Sequence, residues 1–117
     1  MFRETIMAVC AQTIEQITED FSISIETLAR FLNTSTRTLM RWKKAEVKPS
    51  NRHRERLEKI AYIDRRLRQV LRPEAIERWL KAHNDSLGGK RPIDLLANGQ
   101  YGKLLAAISQ LEEGVFV

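Results

Sequence analysis

Apolar residues recur every three or four positions along nearly the whole of this 117-residue chain. No stretch alternates apolar and polar residues for long, which is the pattern that a half-buried strand requires. The spacing therefore predicts an all-α fold of about seven short helices. The length suits one modest core and is too short for a large enzyme fold with a deep cleft. A hydrophobic content of 43% argues against disorder.

Residues that favour helix ends divide this pattern into elements. The first amphipathic helix covers the apolar positions from Phe2 to Ile17. A serine precedes each of the next three predicted helices, where its hydroxyl can cap the first turn. These serines are Ser24, Ser35 and Ser50. Asn33 suits a left-handed exit from the second helix, and the third helix is expected to stop near Glu46.

Prolines and glycines set the boundaries in the second half of the chain. Pro73 and Pro92 are placed to occupy the first turns of two further helices. Gly88 and Gly89 can adopt positive φ without steric cost, which predicts a sharp loop between those helices. The last helix is expected over residues 100–113, with Gly114 as its stop.

Charge is concentrated in the middle of the chain. Residues 24–72 carry 14 basic and five acidic side chains, a net charge of +9, whereas residues 1–23 carry −3 and residues 73–117 carry −1. A basic middle between weakly acidic flanks suggests contact with a polyanion. The alternative is a solvated helical surface that is merely rich in arginine.

Two short helices joined by a tight turn lie within this basic segment, which predicts a helix-turn-helix. Ala29 is the small residue that allows the second helix to cross close to the first. Leu39 and Trp42, three residues apart, would face the core. The second helix would then enter the major groove of DNA with its N-terminal residues against base edges.

The predicted DNA contacts follow from that geometry. Arginines of the second helix can pair bidentately with guanine, and hydroxyls can contact DNA bases or phosphates. The lysines and arginines that follow this helix can hold the phosphate backbone. The candidate residues are Ser35, Thr36, Arg37, Thr38, Arg41, Lys43, Lys44, Lys48, Arg52 and Arg54. A helical hairpin that only builds the core is the competing interpretation.

The sequence offers little for catalysis. His53 and His83 are far apart and each is expected on the surface or at a helix cap, while Cys10 is expected in the core. No His/Cys cluster has metal-ligand spacing, so we predict a non-enzymatic protein without a metal or cofactor. One cysteine cannot form an internal disulfide. No signal peptide or apolar run long enough for a membrane span is found, which predicts a cytoplasmic protein.

The C-terminal half carries a series of short motifs in order, namely Trp79-Leu80, Leu87-Gly88-Gly89, Pro92, Asp94-Leu95-Leu96 and Gly114-Val115-Phe116. In these motifs it resembles the toxin-binding domain of the Xre/MbcA/ParS antitoxins. The upstream segments "STRTLMRW" and "RLEKIAYIDRRL" resemble the Xre-like half of the same family. The resemblance covers roughly residues 24–117, and the short "ANGQYGK" segment replaces a longer acidic and glycine-rich one that is common in the family.

The resemblance implies an antitoxin of a RES-Xre type II toxin–antitoxin system. Its partner would be a RES-domain toxin that degrades NAD or uses it to ADP-ribosylate a target, and its C-terminal end would block the NAD pocket. The residues implied in toxin binding are Leu87, Gly88, Gly89, Lys90, Arg91, Gly114, Val115, Phe116 and Val117. The competing explanation of the apolar tail is that Phe116 folds back over the end of the last helix.

These observations predict two parts, a helix-turn-helix part with the N-terminal helix over residues 1–72 and a toxin-binding part over residues 73–117. The antitoxin is expected to repress its own operon by binding operator DNA. Because helix-turn-helix proteins commonly bind paired half-sites, we expect a homodimer or a higher hetero-oligomer with the toxin. A helix-turn-helix regulator without a toxin is the alternative, and an inhibitor that does not bind DNA is a third possibility.

Overall fold

The computed structural model describes the backbone of residues 2–115 and the side chains of residues 10–114. Within those residues the chain forms seven α-helices and one 3-10 helix, and the only β-type pairing is a single bridge between Asn84 and Lys90. The predicted all-α fold is confirmed. None of the helices over residues 2–115 combines the length and the hydrophobicity needed to cross a bilayer. The elements are α1 (Phe2–Phe21), α2 (Ile25–Phe31), α3 (Thr36–Lys43), α4 (Asn51–Val70), α5 (Pro73–Lys81), the 3-10 helix (Asp85–Leu87), α6 (Pro92–Ala97) and α7 (Tyr101–Val115).

The predicted helix starts are confirmed by their capping bonds. The hydroxyls of Ser24, Ser35 and Ser50 each accept a hydrogen bond from the backbone N–H three residues later. Each such cap is worth about 1 kcal/mol, because it satisfies a donor that has no partner inside the helix. Pro73 and Pro92 stand at the first positions of α5 and α6, where a missing N–H costs nothing.

Left-handed residues close α2 and α3. Asn33 adopts φ 57°, as predicted, and ends α2. Ala45 adopts φ 60° after α3, and the N–H of Glu46 then reaches back to the carbonyl of Arg41 at 2.9 Å. This backbone hydrogen bond closes the last turn of the helix. The prediction that α3 extends to near Glu46 is therefore wrong, since α3 ends at Lys43.

Gly114 does not stop the last helix, so that prediction is wrong as well. It lies inside α7, which extends to Val115, and it is not among the glycines with positive φ. A glycine ends a helix only when it turns left-handed, and it can equally take helical angles at a cost of about 1 kcal/mol relative to alanine. Glu112, two residues before Gly114, forms an ion pair with Arg66 on α4.

One apolar cluster draws residues from all seven α-helices. α1 packs against α3, α4 and α5, so it contacts elements of both predicted parts. Its apolar face includes Ile14, Ile17 and Phe21, all at most 1% exposed. Cys10 is half-buried against the same cluster, as expected of a core residue, and burial raises the pKa of its thiol. The N-terminal helix is thus an integral part of the core.

α4 and α7 lie side by side and run in the same direction. Near the middle of α4 and at the start of α7, the Nζ of Lys59 lies 5.8 Å from the ring centroid of Tyr101. Further along both helices, Arg66 Nη2 donates to Ser109 Oγ at 3.0 Å. The C-terminal end of α7 therefore lies beside the C-terminal half of α4.

Candidate functional site

The helix-turn-helix is built as the sequence pattern predicts. Ala29 is 2% exposed in α2, which packs against α3. Leu39 and Trp42 point inward and are 0% and 3% exposed. Arg37 and Arg41 lie on the exposed side of the same helix. A three-residue separation of buried positions leaves the residues between them outside, which is the arrangement that a groove-binding helix needs.

The hydroxyl groups at the start of α3 are partly engaged with one another. Ser35 Oγ accepts from the N–H of Thr38 at 3.1 Å and donates to Thr38 Oγ1 at 2.9 Å. The Ser35 hydroxyl is therefore committed to the cap, whereas the Thr38 hydroxyl keeps its own proton for an outside acceptor. Thr36 is half-buried in the first turn.

The predicted phosphate-binding residues divide into paired and unpaired side chains. Arg41 lies 3.7 Å from Glu46, Lys43 lies 3.7 Å from Glu15 and Arg54 lies 3.8 Å from Glu58. Exposed pairs of this kind contribute at most about 1 kcal/mol, so a phosphate can replace the carboxylate partner. Arg37, Lys44, Lys48 and Arg52 are exposed and make no ion pair with any side chain that the structure describes.

His53 holds the turn, α3 and α4 together. Its ring lies 5.2 Å from that of Trp42, tilted by 54°. Its Nδ1 lies 2.8 Å from Ser50 Oγ, and its Nε2 lies 3.4 Å from the carbonyl oxygen of Asn33. His53 was predicted at a surface or a helix cap, and its contact with the N-cap Ser50 confirms the cap. The link to the helix-turn-helix was missed, because it joins residues 20 positions apart.

Arg56, three residues after His53, was also missed. Its Nη1 donates to the carbonyl of Phe31 at 3.2 Å, at the end of α2. A Cβ added at Gly99, in the turn between α6 and α7, would lie 3.5 Å from Arg56 Nη2. One side chain thus joins the helix-turn-helix to the second half of the chain.

The loop before α6 is fixed by backbone contacts. Gly88 and Gly89 have φ 67° and 83°, as predicted for a sharp loop. The N–H of Asn84 donates to the carbonyl of Lys90 at 3.0 Å, and the N–H of Gly89 donates to the carbonyl of Asn84 at 2.9 Å. His83 Nδ1 lies 2.7 Å from the carbonyl oxygen of Gly89. The loop therefore presents a defined surface.

The predicted toxin-binding side chains of this loop differ in burial and in ion pairing. Leu87 is partly buried against the core, Lys90 is exposed, and Arg91 donates to both carboxylate oxygens of Asp94 at 3.1 Å. α7 packs against the 3-10 helix that contains Leu87. The loop and the last helix, which carry the two groups of predicted residues, are therefore neighbours in the fold.

The C-terminal end of α7 is tied to α4. Arg66 donates to both carboxylate oxygens of Glu112 and to Ser109 Oγ, and the guanidinium lowers the pKa of Glu112. Gly114 is exposed one half-turn beyond. The predicted positions Phe116 and Val117, and the side chain of Val115, lie outside the described residues.

A buried acid pair joins α1 to α4 and was not predicted. Asp64 is 1% exposed. Burial and the neighbouring carboxyl of Asp20, to which it is hydrogen-bonded, raise its pKa to about 8. Arg68 Nε lies 3.3 Å from Asp20 Oδ2 and 3.7 Å from Asp64 Oδ2, while Gln16 donates to both oxygens of Asp20. The position of Asp64 on the buried stripe of α4 is the sequence signal that identifies it.

These surfaces define a helical binding protein. Within the described side chains, no group of three or more His, Cys, Asp or Glu residues could hold a metal ion. The chain instead offers a helix-turn-helix, a structured loop and a clamped last helix.

Comparison with known proteins assigns this architecture to a family. Residues 66–105 match the C-terminal toxin-binding domain of the antitoxins Xre/MbcA/ParS. The mycobacterial cidal antitoxin MbcA of Mycobacterium tuberculosis strain H37Rv is 31% identical over 93% of this chain and 96% of its own length. The probable mycobacterial cidal antitoxin Rv3188 of the same strain is 28% identical over 94% of both chains.

A solved structure supports the same family assignment. A chain in the crystal structure of the M. tuberculosis MbcT–MbcA toxin–antitoxin complex superposes with a TM-score of 0.73 at 31% identity, covering 92% of this chain and 96% of that one. The chain belongs to the Xre/MbcA/ParS family of antitoxins, as the sequence motifs suggested. It is thus a non-enzymatic antitoxin of a toxin–antitoxin pair.

Proposed function

We propose that this antitoxin inhibits a RES-domain toxin that consumes NAD or uses it for ADP-ribosylation, and that the tail Val115–Val117 enters the NAD pocket of that toxin. The loop residues Leu87 to Arg91 form the second part of the contact. Residues 73–117 carry this function, and residues 1–72 carry the DNA-binding function.

The clamp between Arg66 and the end of α7 carries the proposal. Glu112 is only three residues before Val115, a rise of about 4.5 Å along the helix. Arg66 on α4 holds Glu112, so the last described turn of α7 has a fixed place beside α4. A binding segment that continues from an ordered helix end loses less conformational freedom on binding than one that continues from a loose end, and a Phe is a suitable anchor in a desolvated pocket.

The proposal is tested by co-expression with the RES-domain protein encoded beside the antitoxin gene. Cellular NAD is measured with the toxin alone, with the full antitoxin, and with a chain that ends at Gly114. We expect NAD to collapse with the toxin alone, to recover with the full chain, and to stay low with the shortened chain.

The three arms separate the parts of the proposal. Recovery with both chains would refute the role of the tail and favour a Phe116 that packs on its own helix. A toxin that leaves NAD unchanged would refute the RES assignment. Thermal unfolding and DNA binding of the shortened chain provide the control, because the proposal assigns the tail to the toxin contact and expects neither property to change.

We also infer that α3 binds operator DNA and that the antitoxin represses its own operon as a homodimer or as a hetero-oligomer with the toxin. Exposed Arg37 on α3, with Lys44 and Arg52 beyond it, supports this inference, since none of them is neutralised by a described carboxylate. Arg37→Ala is expected to relax sequence preference, whereas Lys44→Ala is expected to weaken all sequences equally.

Fluorescence anisotropy with promoter DNA measures both effects. Affinity should fall steeply as salt rises, because bound phosphates release counterions. An affinity that is unchanged between low and high salt would favour the inhibitor that does not bind DNA. Binding of DNA without any effect on a toxin would favour the stand-alone regulator.

A further inference from the structure

Tyr62 is an exposed aromatic residue near the middle of α4, on the face opposite the buried Ile60. With 42% of its surface exposed, it is the one large hydrophobic residue counted as exposed among the described side chains. A groove of about 470 Å³ lies between it and α7, and Tyr101, Gly102 and Leu105 line the α7 side. A Cβ placed at Gly102 would meet nothing within 4 Å, so the groove has room for a side chain from another molecule.

The charges on this face of α4 and on the adjoining end of α7 are balanced, although residues 24–72 as a whole carry a net charge of +9. Three of the side chains are acidic and three are basic, namely Glu55, Glu58, Glu112, Lys59, Arg65 and Arg66. A face of mixed charge does not favour a polyanion, and it suits a protein surface that carries the complementary pattern.

The order of these charges along α4 makes the face complementary to itself. Glu55 and Glu58 precede Tyr62, whereas Arg65 and Arg66 follow it. A second α4 that lies antiparallel, with the two Tyr62 rings at the centre, sets the acidic end of each helix against the basic end of the other. A parallel second helix would place like charges together. A twofold-symmetric dimer requires a patch that is complementary to itself in this way.

Glu58 and Arg65 are the two residues that an antiparallel arrangement brings level with each other. At 1.5 Å and 100° per residue, Glu58 lies about 6 Å before Tyr62 and Arg65 about 4.5 Å after it. They lie about 40° and 60° to the same side of Tyr62. Glu58 of one copy therefore faces Arg65 of the other. Within one chain the two are about 10.5 Å apart along the axis, too far to form an ion pair.

The two other bases of the face are held by their own chain. Lys59 and Arg66 lie on the side of Tyr62 that is next to α7. The Nζ of Lys59 lies 5.8 Å from the ring centroid of Tyr101, and Arg66 is paired with Glu112. These charges are therefore compensated within each copy, and they do not oppose the contact between copies.

We propose that this face of α4 binds a second copy of the chain in antiparallel orientation. Tyr62 of each copy enters the α4–α7 groove of the other, and Glu58 of each copy pairs with Arg65 of the other. Tyr and Arg are the residues that most often dominate the energetics of protein interfaces. The guanidinium groups of Arg65 and Arg66 already lie 5.4 and 5.6 Å from the ring centroid of Tyr62, so less conformational freedom is lost on binding.

Such a dimer holds two helix-turn-helix units at the spacing of paired DNA half-sites. His53, whose ring lies 5.2 Å from that of Trp42 on α3, is nine residues before Tyr62, and Ser50 is 12 residues before it. Along the common axis, the two His53 residues are then about 27 Å apart and the two Ser50 residues about 36 Å apart. Half-sites on one face of DNA are about 34 Å apart, which lies between these values. This step rests on the proposed operator binding, whereas the interface does not.

Charge reversal tests the interface, because twofold symmetry makes each contact occur twice. Glu58→Arg places a new arginine against Arg65, and Arg65→Glu places a new glutamate against Glu58. In sedimentation equilibrium of the full chain at low salt, either change should raise the Kd of the dimer at least tenfold. An equimolar mixture of the two variants has opposite charges at both contacts, so it should form a heterodimer with a Kd within about threefold of the wild type.

Glu19→Arg is the matched control, because it makes the same change of charge at an exposed position of α1. It should leave the Kd within a factor of two, and thermal unfolding confirms that all three variants fold. A wild type that stays monomeric, a dimer that neither reversal weakens, or a mixture that binds no better than the single variants would each overturn the proposal. Reversals that abolish binding of the purified toxin but leave the dimer intact would assign the face to the toxin and refute it.

Operator fragments with one and with two half-sites separate the interface from the proposed DNA binding. In fluorescence anisotropy the wild type should bind two half-sites more tightly than one. Glu58→Arg should lose this gain and still bind one half-site. Equal affinity of the wild-type dimer for both fragments would refute the inferred spacing. A wild-type dimer that binds neither fragment would refute operator binding alone and leave the interface in place.

Discussion

The shared proton of Asp20 and Asp64 should make the stability of this protein depend on pH in an unusual direction. Asp64 lies on α4 with 1% of its surface exposed, and its carboxyl faces that of Asp20 on α1. The nearest positive charge is Arg68, whose Nε is closer to Asp20 than to Asp64. Burial and the second carboxyl oppose ionisation more strongly than Arg68 favours it, so Asp64 keeps its proton at neutral pH.

The size of the effect follows from proton linkage. The pKa of Asp64 rises from 3.8 to about 8 on folding, so between these values the native state holds a proton that the unfolded state has released. The free energy of unfolding must then fall as pH rises, by up to about 1.4 kcal/mol per pH unit for one proton. This contribution is fully present below about pH 4 and is lost as pH passes 8.

Asp64→Asn should abolish this dependence. The Asn amide can donate to the Asp20 carboxylate without needing a proton, so the bond between α1 and α4 persists at every pH. Urea unfolding followed by circular dichroism from pH 5 to pH 9 measures the difference. With an m-value of ~1–3 kcal/mol/M for a small protein, the wild-type midpoint should fall by about 0.5–1.4 M per pH unit in the window, and the Asp64→Asn midpoint should stay nearly constant.

Asp85→Asn, which alters an exposed carboxyl of the 3-10 helix, is the matched control and should keep the wild-type slope. A wild-type midpoint that rises from pH 5 to pH 8 would refute the reasoning, because it would mean that Asp64 ionises in the native state. So would an Asp64→Asn variant with the same slope as the wild type, since another group would then carry the proton.

Three further substitutions test individual contacts. Ser35→Ala removes the N-cap of α3 and should destabilise the protein by about 1 kcal/mol in urea unfolding, whereas Ser35→Asn should restore the cap; an unchanged Ser35→Ala would contradict the assigned bond. Tyr101→Phe deletes a hydroxyl that is buried without a partner among the described side chains. An unpaired buried hydroxyl costs about 1 kcal/mol, so the thermal midpoint of the Tyr101→Phe variant should rise, and a lower midpoint would contradict the missing partner. Arg66→Met keeps the packing of the stem but releases Glu112, so amide exchange over residues 110–114 should accelerate roughly tenfold or more, and unchanged exchange would show that the clamp does not hold α7.

Much of the fold could be predicted because it depends on local chemistry. Helix periodicity, serine caps and prolines in the first turn of a helix all act within a few residues. The all-α fold, the three serine caps and the two proline positions that they predict match the structure. The two wrong helix ends concern residues whose conformation is not fixed by their type. Ala45 takes a left-handed conformation that alanine rarely adopts, and Gly114 takes the helical angles that glycine permits at a cost.

The contacts of the candidate sites were harder to predict, because they join distant parts of the chain. His53 reaches Asn33, Arg56 reaches Phe31 and Arg66 reaches Glu112, separations of 20, 25 and 46 residues. Arginines of this kind look like solvated charges in a sequence. Only the folded arrangement, in which α4 packs against α7 and Arg56 reaches the end of α2, reveals that they organise the candidate surfaces.

The same contacts predict that residues 1–72 and residues 73–117, the two parts proposed above, cannot fold separately. The apolar cluster includes residues on both sides of residue 72, α1 packs against α5, and the end of α7 is clamped to α4. A chain of residues 1–72 would expose the faces that α5 and α7 cover, and residues 73–117 would keep too small a core to be stable alone. We expect neither fragment to show a cooperative thermal transition, whereas an equimolar mixture regains helical signal. A fragment 1–72 that unfolds cooperatively by itself would refute this prediction, because it would show that the first part folds without the core contacts it makes with residues 73–117.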